Sequence, residues 1–135
     1  FQTWEYVNTW RKICGSQFDL RVLVARDAEN EIRGIAPLMV GAGHTALRAH
    51  VRHLSFLGQL SESASDYGDF IVEAGYEEVV IPEVAEFVAN DLSNDWSLLY
   101  FPISREDSDC ISIFLRELES RKIRRQTVHH QPAPY

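Results

Sequence analysis

The sequence predicts a single α+β domain built on a central mixed sheet. A helical pattern opens the chain, three strand patterns follow one another, and helix and strand patterns then alternate. Three consecutive strands favour an antiparallel meander, to which strand–helix–strand units add crossover strands, with about three helices on the faces of the sheet. A chain of 135 residues that is 45% hydrophobic and 24% charged suits one domain over residues 1–135.

The first element is a helix with apolar residues at helical spacing. These residues are Phe1, Trp4, Val7, Trp10 and Ile13. They share one face, which we expect to pack on the sheet, and Gly15 is expected to end the helix.

Three strands follow, over Leu20–Arg26, Ile32–Val40 and Val51–Leu57. The turn at 27–31 is short and polar, so the first two strands are predicted to form an antiparallel hairpin. Pro37 has no amide proton for a ladder, and we expect it at an edge, at a bulge or where strand pairing changes. The segment that begins at Gly41 is predicted to be a loop.

The second half alternates between strands and helices. In chain order it contains a short strand at Asp69–Val72, a helix within Tyr76–Leu92, a strand at Trp96–Phe101, a helix capped by Ser108 or Asp109 that ends near Lys122, and a last strand at Ile123–Val128. Because proline suits the first turn of a helix, Pro82 predicts that its helix begins near Ile81. The apolar strand 96–101 is expected to be buried on both faces.

Charge excludes some classes of partner. The net charge is −7, and the stretch between Arg52 and Arg105 has ten carboxylates and no Lys or Arg. Such a chain would repel a phosphate backbone, so no nucleic-acid partner is expected. No apolar run approaches the roughly 20 residues of a membrane span, and no signal peptide is visible. The two cysteines, Cys14 and Cys110, fit buried thiols in a reducing cytoplasm.

Motifs for covalent, metal or phosphate chemistry are missing from the sequence. There is no Gly-x-Ser-x-Gly, no Walker loop and no Gly-x-Gly-x-x-Gly. Cys110 lies near a helix start but has no identifiable base. The pairs His50/His53 and His129/His130 lack a third ligand at a supporting interval. We therefore expect no catalytic residue, bound cofactor or metal on this chain.

The densest group of polar residues lies in segment 61–69. Asp66, Tyr67 and Asp69 are close together there, and two carboxylates and a phenol can bind a cationic or hydroxylated substrate. The same residues also suit a capped Asx-turn with Tyr67 packed inward, so both interpretations stay open.

Three short motifs occur in an order that resembles a known family. They are Gly34-Ile-Ala-Pro-Leu38, Leu54-Ser-Phe-Leu-Gly58 and Ser65-Asp-Tyr-Gly-Asp69. With the preceding aromatic helix and the tail Pro132-Ala-Pro-Tyr135, they resemble the N-terminal half of the CelD-type (BioF-like) acetyltransferases. These belong to the GNAT superfamily and are related to the FemAB-type transferases.

The resemblance implies two tandem GNAT-like halves, of which the C-terminal one binds acetyl-CoA and transfers the acyl group. This chain would be the N-terminal lobe of a longer protein that continues past Tyr135, and it would be inactive alone. It would support the catalytic half of its own chain and line the acceptor cleft with Asp66, Tyr67 and Asp69. The nearest match to the superfamily's pyrophosphate loop, Leu38-Met-Val-Gly-Ala-Gly43, lacks the Gln or Arg and precedes a strand.

Two other functions remain open on the sequence alone. One is a non-catalytic interaction domain whose acidic stretch binds a basic partner. The other is a complete small GNAT acetyltransferase, which would have to bind acetyl-CoA without the usual loop.

Overall fold

The computed structural model describes residues 4–14, 16, 18–44, 50–59, 68–102, 104–105 and 107–126. In this part of the chain there are three helices and five strands. In order they are α1 (Trp4–Cys14), β1 (Asp19–Arg26), β2 (Ile32–His44), β3 (His50–Phe56), β4 (Ile71–Val72), α2 (Glu77–Asn90), β5 (Leu98–Leu99) and α3 (Asp109–Ser120). None of these helices is long and apolar enough to cross a membrane.

The described strands form one mixed sheet in the order β1-β2-β3-β5, with β4 also paired to β2. The pairs β1/β2, β2/β3 and β2/β4 are antiparallel, whereas β3 and β5 are parallel. The predicted α+β class, with a three-stranded meander and a crossover strand, is therefore confirmed.

The β1–β2 hairpin is closed by an aspartate turn. Asp27 Oδ1 accepts hydrogen bonds from the amides of Glu29 (3.0 Å) and Glu31 (2.9 Å), while Asn30 takes a positive φ of 68°. Asp27 is also paired with Arg33, and these contacts hold its carboxyl pKa below the ordinary value, the amide of Glu31 having the largest effect. The turn thus fixes the register of the two strands.

Strand β2 changes partner at Pro37, as the sequence predicted. Leu38 pairs with Phe56 of β3, and Ile35 pairs with Ile71 of β4. At Pro37 the carbonyl accepts the Leu57 amide at 2.8 Å, so the proline still contributes its acceptor. The missing donor is tolerated because the ladder changes from one partner to the other here.

Strand β2 also extends further than predicted. The segment from Gly41 was expected to be a loop, but Gly41 pairs with His53 and Gly43 with Val51. Backbone hydrogen bonds of the ladder do not need side chains, so the glycines continue the strand as far as His44.

The core lies between one face of the sheet and the helices α2 and α3. Its buried residues come from β2, β3, α2 and α3, together with Phe70 just before β4 and Leu92 just after α2, and further apolar side chains pack around them. The buried members are Ala36, Leu38, Val40, Leu54, Phe56, Phe70, Val80, Ile81, Val84, Ala85, Val88, Leu92, Ile113, Phe114 and Leu118. Burial of this apolar surface is the main favourable contribution to folding.

Helix α2 begins earlier than predicted. It starts at Glu77, and Pro82 lies inside it rather than in its first turn. Val80 and Ile81 are both buried against the sheet before the proline is reached. Packing of this face therefore outweighs the backbone hydrogen bond that the proline cannot donate.

Helix α3 starts as predicted, but the conformation at its end differs from the strand that was predicted to follow it. The Ser108 side chain accepts the Ile111 amide at 3.2 Å, which confirms Ser108 as the N-cap. At the other end Lys122 has a φ of 64°, and the amide of Ile123 donates to Leu118 O at 3.1 Å. This left-handed C-terminal motif turns Ile123 back onto the core. The predicted strand at 123–128 is therefore wrong for residues 123–126, and its last two residues lie outside the described part.

Two predictions of burial are also wrong. Strand β5 comprises only Leu98 and Leu99, and Leu98 and Tyr100 are 42% and 44% exposed rather than buried on both faces. Helix α1 forms where predicted, but Ile13 of its predicted inner face is 73% exposed. The aromatic side chains of that helix lie outside the described ones. These apolar residues lie at or next to the ends of a helix or strand, where fewer side chains are present to bury them than the periodic sequence pattern implies.

At Gly34 the backbone of β2 lies close to Val80 of α2, and substitution of this glycine tests the packing. A Cβ at position 34 would lie 2.5 Å from Val80 Cγ1, which is buried. We expect Gly34→Ala to lower the free energy of unfolding by about 1–3 kcal/mol, measured by urea denaturation. The double variant Gly34→Ala with Val80→Ala should lose less than the sum of the two single variants. Additive losses would contradict the close contact.

Candidate functional site

The parallel pair β3/β5 defines the edge at which a ligand is most expected. In sheets with parallel strands, ligands bind beyond the carboxyl ends, where neighbouring strands diverge. The Ser97 amide donates to Arg52 O (2.8 Å) and the Tyr100 amide to Leu54 O (2.9 Å), so the strands are joined up to this point. In the segment that follows Tyr100, the next described residue that forms a β-bridge is Ser104, and its partner does not belong to β3.

Beyond the paired residues, the chain itself lies between the end of β3 and the segment that follows β5. Gly68 forms a single parallel bridge with Ser104. A Cβ built on Gly68 would lie 2.7 Å from Phe56 Cβ and 2.7 Å from Gln59 Nε2, so there is no room even for a methyl group. The crevice at the carboxyl ends of β3 and β5 is therefore occupied by the backbone at residue 68.

Four phenylalanine rings pack together in the core beside Gly68. Phe56 lies 5.0 Å from Phe70 and 4.7 Å from Phe101, as ring-centroid distances. Phe114 of α3 completes the cluster, at 5.0 Å from Phe70 and 6.0 Å from Phe101. Aromatic pairs at these separations stabilise the fold beyond the area they bury.

Of the three residues predicted to bind substrate, Asp69 lies in the described part. Its Oδ1 accepts the amide of Phe70 at 2.7 Å and the hydroxyl of Ser108 at 3.0 Å. Because Ser108 caps α3, Asp69 ties the returning segment to the start of that helix. Asp66 and Tyr67 lie outside the described residues, so their role in binding stays a prediction.

Cys110 lies in the first turn of α3 but is not activated there. Burial raises its thiol pKa to about 11, with further contributions from the carboxylates of Asp69 and Glu77. A thiol with such a pKa is protonated at neutral pH and is a poor nucleophile. Cys110 itself is therefore not an activated nucleophile in this environment.

The turn from the sheet into α2 does not fit a pyrophosphate group. It runs from Glu73 to Tyr76, and the first turn of α2 carries Glu77 and Glu78. The Gly75 amide already donates to Glu77 Oε2 at 2.8 Å. Carboxylates stabilise the positive end of a helix and repel a second anion there. Residues 38–43, the nearest match to a pyrophosphate loop in the sequence, are part of strand β2 and supply no helix start.

The histidines and acidic residues form no metal centre in the described ranges. No group of three or more His, Cys, Asp or Glu residues with suitable geometry occurs there. The His53 ring lies 5.6 Å from that of Tyr100, and burial lowers its pKa. The side chain of His50 and both His129 and His130 lie outside the described part.

Comparisons with known proteins yielded one informative likeness. No protein-family model matches the chain, and no curated protein matches it. A solved structure described as "Crystal structure of a probable acetyltransferase" is similar in fold, with a TM-score of 0.51 and 12% sequence identity. The match covers 97% of this chain and 75% of the other. The described mixed sheet with its helices is therefore similar in fold to that of a protein described as a probable acetyltransferase.

Two variants of Asp69 show whether its hydrogen bonds or its negative charge stabilise the fold. Asp69→Asn keeps an oxygen that accepts the Phe70 amide and the Ser108 hydroxyl, so we expect a melting temperature close to that of the wild type. Asp69→Ala removes both hydrogen bonds and should cost about 1–2 kcal/mol in a thermal or urea unfolding experiment. Equal losses for both variants would show that the negative charge, rather than the hydrogen bonds, stabilises the fold.

The raised pKa of Cys110 predicts slow alkylation. In a Cys14→Ser background at pH 8, a shift from 9.0 to about 11 lowers the thiolate fraction about a hundredfold. We expect iodoacetamide to modify the folded protein at least tenfold more slowly than the urea-unfolded protein, followed by mass spectrometry. Equal rates would contradict the described environment of the thiol.

Proposed function

We propose that this chain is the N-terminal, non-catalytic lobe of a GNAT-type N-acyltransferase of the CelD-like (BioF-like) kind, related to the FemAB-type transferases. The acetyltransferase-like fold supports the superfamily, and the order of the three sequence motifs supports the finer assignment. In this proposal a second, C-terminal half of the same protein binds acetyl-CoA and transfers the acyl group to an amine. The reducing cytoplasm is the proposed location, consistent with the use of cysteine.

The observation that carries this proposal is the filled crevice between β3 and β5. The arm of a thioester carrier would need this space, and the Gly68 backbone already contacts Phe56 there. Phe56 in turn packs against the rings of Phe70 and Phe101, so moving it to open this space would disturb buried aromatic contacts. The lobe is thus suited to a structural role.

The electrostatics of the turn before α2 support the same conclusion. Glu73, Glu77 and Glu78 lie at or next to the helix start, and the cation in contact with Glu73 is Arg33. Arg33 is shared with Asp27 and stacks over the Tyr76 ring at 4.7 Å. Arg33 therefore takes part in contacts within the fold and is not available to neutralise a pyrophosphate.

The lobe's proposed contribution is to support the catalytic half and to line the acceptor cleft. Asp66 and Tyr67 are the proposed acceptor contacts, in the same segment that Asp69 anchors to α3. Direct attack of the acceptor amine on the thioester needs no covalent intermediate on the enzyme. The protonated state of Cys110 is consistent with that chemistry.

The alternative of an acidic interaction domain has less support. Two carboxylates on the outward face of α2 are paired with arginines: Glu78 with Arg116 of α3 at 2.7 Å, and Glu86 with Arg121, the C-cap of α3, at 3.7 Å. These contacts reduce the net negative field on the described part of that face.

Calorimetric titration with acetyl-CoA tests the proposal. We expect no saturable binding to the 135-residue chain, and micromolar binding to the protein that also contains the half encoded after Tyr135. The triple variant Glu73→Gln, Glu77→Gln and Glu78→Gln is the matched control for charge. It should also fail to bind, because the crevice remains filled.

Two results would overturn the proposal. Saturable micromolar binding of acetyl-CoA to the 135-residue chain would identify a complete small acetyltransferase. Binding to neither form would remove the acyltransferase assignment and favour an interaction domain.

A further inference from the structure

We propose that the free edge of β1 pairs with the same edge of a second copy of this chain, so that the two sheets join into one. In the described part of the sheet, β1 lies at one end and pairs with β2 alone. Its eight residues, Asp19–Arg26, include no proline and no lysine, and its pairing with β2 is regular as far as Ala25. Proteins protect such an edge with proline, lysine, a bulge or a covering element, because an open edge pairs with another strand.

The hydrogen bonds of β2 show which backbone groups of β1 face the free edge. The Pro37 carbonyl accepts the Leu57 amide at 2.8 Å, so residue 37 directs its polar backbone group towards β3. Successive residues of an antiparallel strand direct these groups to opposite sides. Val22 lies opposite Pro37 and Val24 opposite Ile35, so both valines direct their amide and carbonyl away from β2. Within the described ranges, no backbone hydrogen bond outside the sheet ladders involves either valine.

The side chains of the same residues form an apolar stripe along the edge. Leu23 and Ala25 pack against the core, so Leu20, Val22 and Val24 lie on the face of the sheet away from α2 and α3. Val22 is 49% exposed and Val24 is 46% exposed. Unpaired backbone groups and exposed apolar side chains thus occur at the same residues, and a strand of the same character satisfies both.

The sequence of β1 fits itself in one antiparallel register. With a two-fold axis at Val22, this residue faces itself, Leu20 faces Val24, and Arg21 faces Leu23 of the second copy. Residues 19–25 are then paired, the outer face is apolar at each of these pairs, and no charged side chain lies opposite a like charge. A closed two-fold pair is the commonest symmetry of homo-oligomers, and this fit favours a second copy over a foreign strand.

Neighbouring registers are less favourable. An axis at Arg21 or at Val24 pairs only residues 19–23 or 22–26, and the first places Arg21 opposite itself. An axis at Leu23 places Asp19 opposite Asp27. Like charges directly opposite each other destabilise a strand pair.

Arg21 is compatible with the proposed pairing. Its Nε donates to Asp95 Oδ2 at 2.6 Å, so its charge is paired within its own copy. Its Nη1 also donates to the Leu20 carbonyl at 2.9 Å. A carbonyl oxygen has two lone pairs, so Leu20 can accept a second hydrogen bond from the Val24 amide of the other copy.

Sedimentation equilibrium of the 135-residue chain tests the pairing. We expect a species of about twice 15.5 kDa that dissociates on dilution. Val22→Lys places two like charges at the axis and should weaken the association by about tenfold or more. Ile71→Lys is the matched control, because Ile71 is 44% exposed on the same face but lies in β4, away from the free edge. It should leave the dimer intact.

Disulfide formation tests the register. In a Cys14→Ser, Cys110→Ser background, Val22→Cys should cross-link two copies under mild oxidation, because residues that form a hydrogen-bonded pair have Cα atoms about 5.5 Å apart. Val24→Cys changes a residue of nearly equal exposure and should not cross-link, because the two substituted positions lie about 13 Å apart along the strands.

Three results would overturn the inference. The first is a monomer at every concentration, or equal weakening by Val22→Lys and Ile71→Lys. The second is cross-linking of Val24→Cys without that of Val22→Cys. The third is a monomeric protein containing both halves in which the Val22 and Val24 amides resist hydrogen exchange, because the second half would then cover the edge. Failure of that protein to bind acetyl-CoA would end the proposed function and leave the pairing of β1 unaffected.

Discussion

The contact between the Gly68 backbone and the Phe56 side chain is the constraint on which the rest of the structure depends. It holds the returning segment between the end of β3 and the chain that follows β5. Phe70 is then placed between the rings of Phe56 and Phe114, and α3 is held against the sheet. Asp69, next to Gly68, reaches the cap of the same helix. One close approach of the backbone thus joins the sheet, the returning segment and α3.

Strand β2 provides the frame on which this arrangement is built. It pairs with β1 along one edge and with β3 and then β4 along the other. Its change of partner at Pro37 keeps two separated pieces of chain in line, and the lack of a side chain at Gly34 lets α2 approach closely. The result is similar in fold to a protein described as a probable acetyltransferase, and the Gly68 backbone packs against Phe56 at the carboxyl end of β3. A fold does not imply function, so the supporting role is proposed from this packing rather than from the fold.

Much of the framework was predictable from the sequence because it depends on local patterns. Alternating apolar residues marked β1, the short polar turn marked the hairpin, and Ser108 marked the start of α3. Features that depend on distant residues were not predictable. Nothing local shows that Pro82 lies inside α2, because the packing of Val80 and Ile81 decides it, or that Lys122 adopts a left-handed conformation. At the site, Asp69 was identified as a polar residue of interest, but its bond to Ser108 joins positions 39 residues apart. The filling of the crevice by Gly68 was missed, since a glycine in a polar segment is indistinguishable from one in an ordinary turn.

Nuclear magnetic resonance of the 135-residue chain tests the filled crevice most directly. With Phe56 selectively labelled, the account predicts strong nuclear Overhauser effects between the Gly68 α-protons and the Phe56 ring. A ring-current displacement of those α-protons should accompany them. Absence of these effects, together with random-coil shifts for Gly68, would show that the crevice is open and would contradict the assignment of this chain as a lobe that does not hold the acyl carrier.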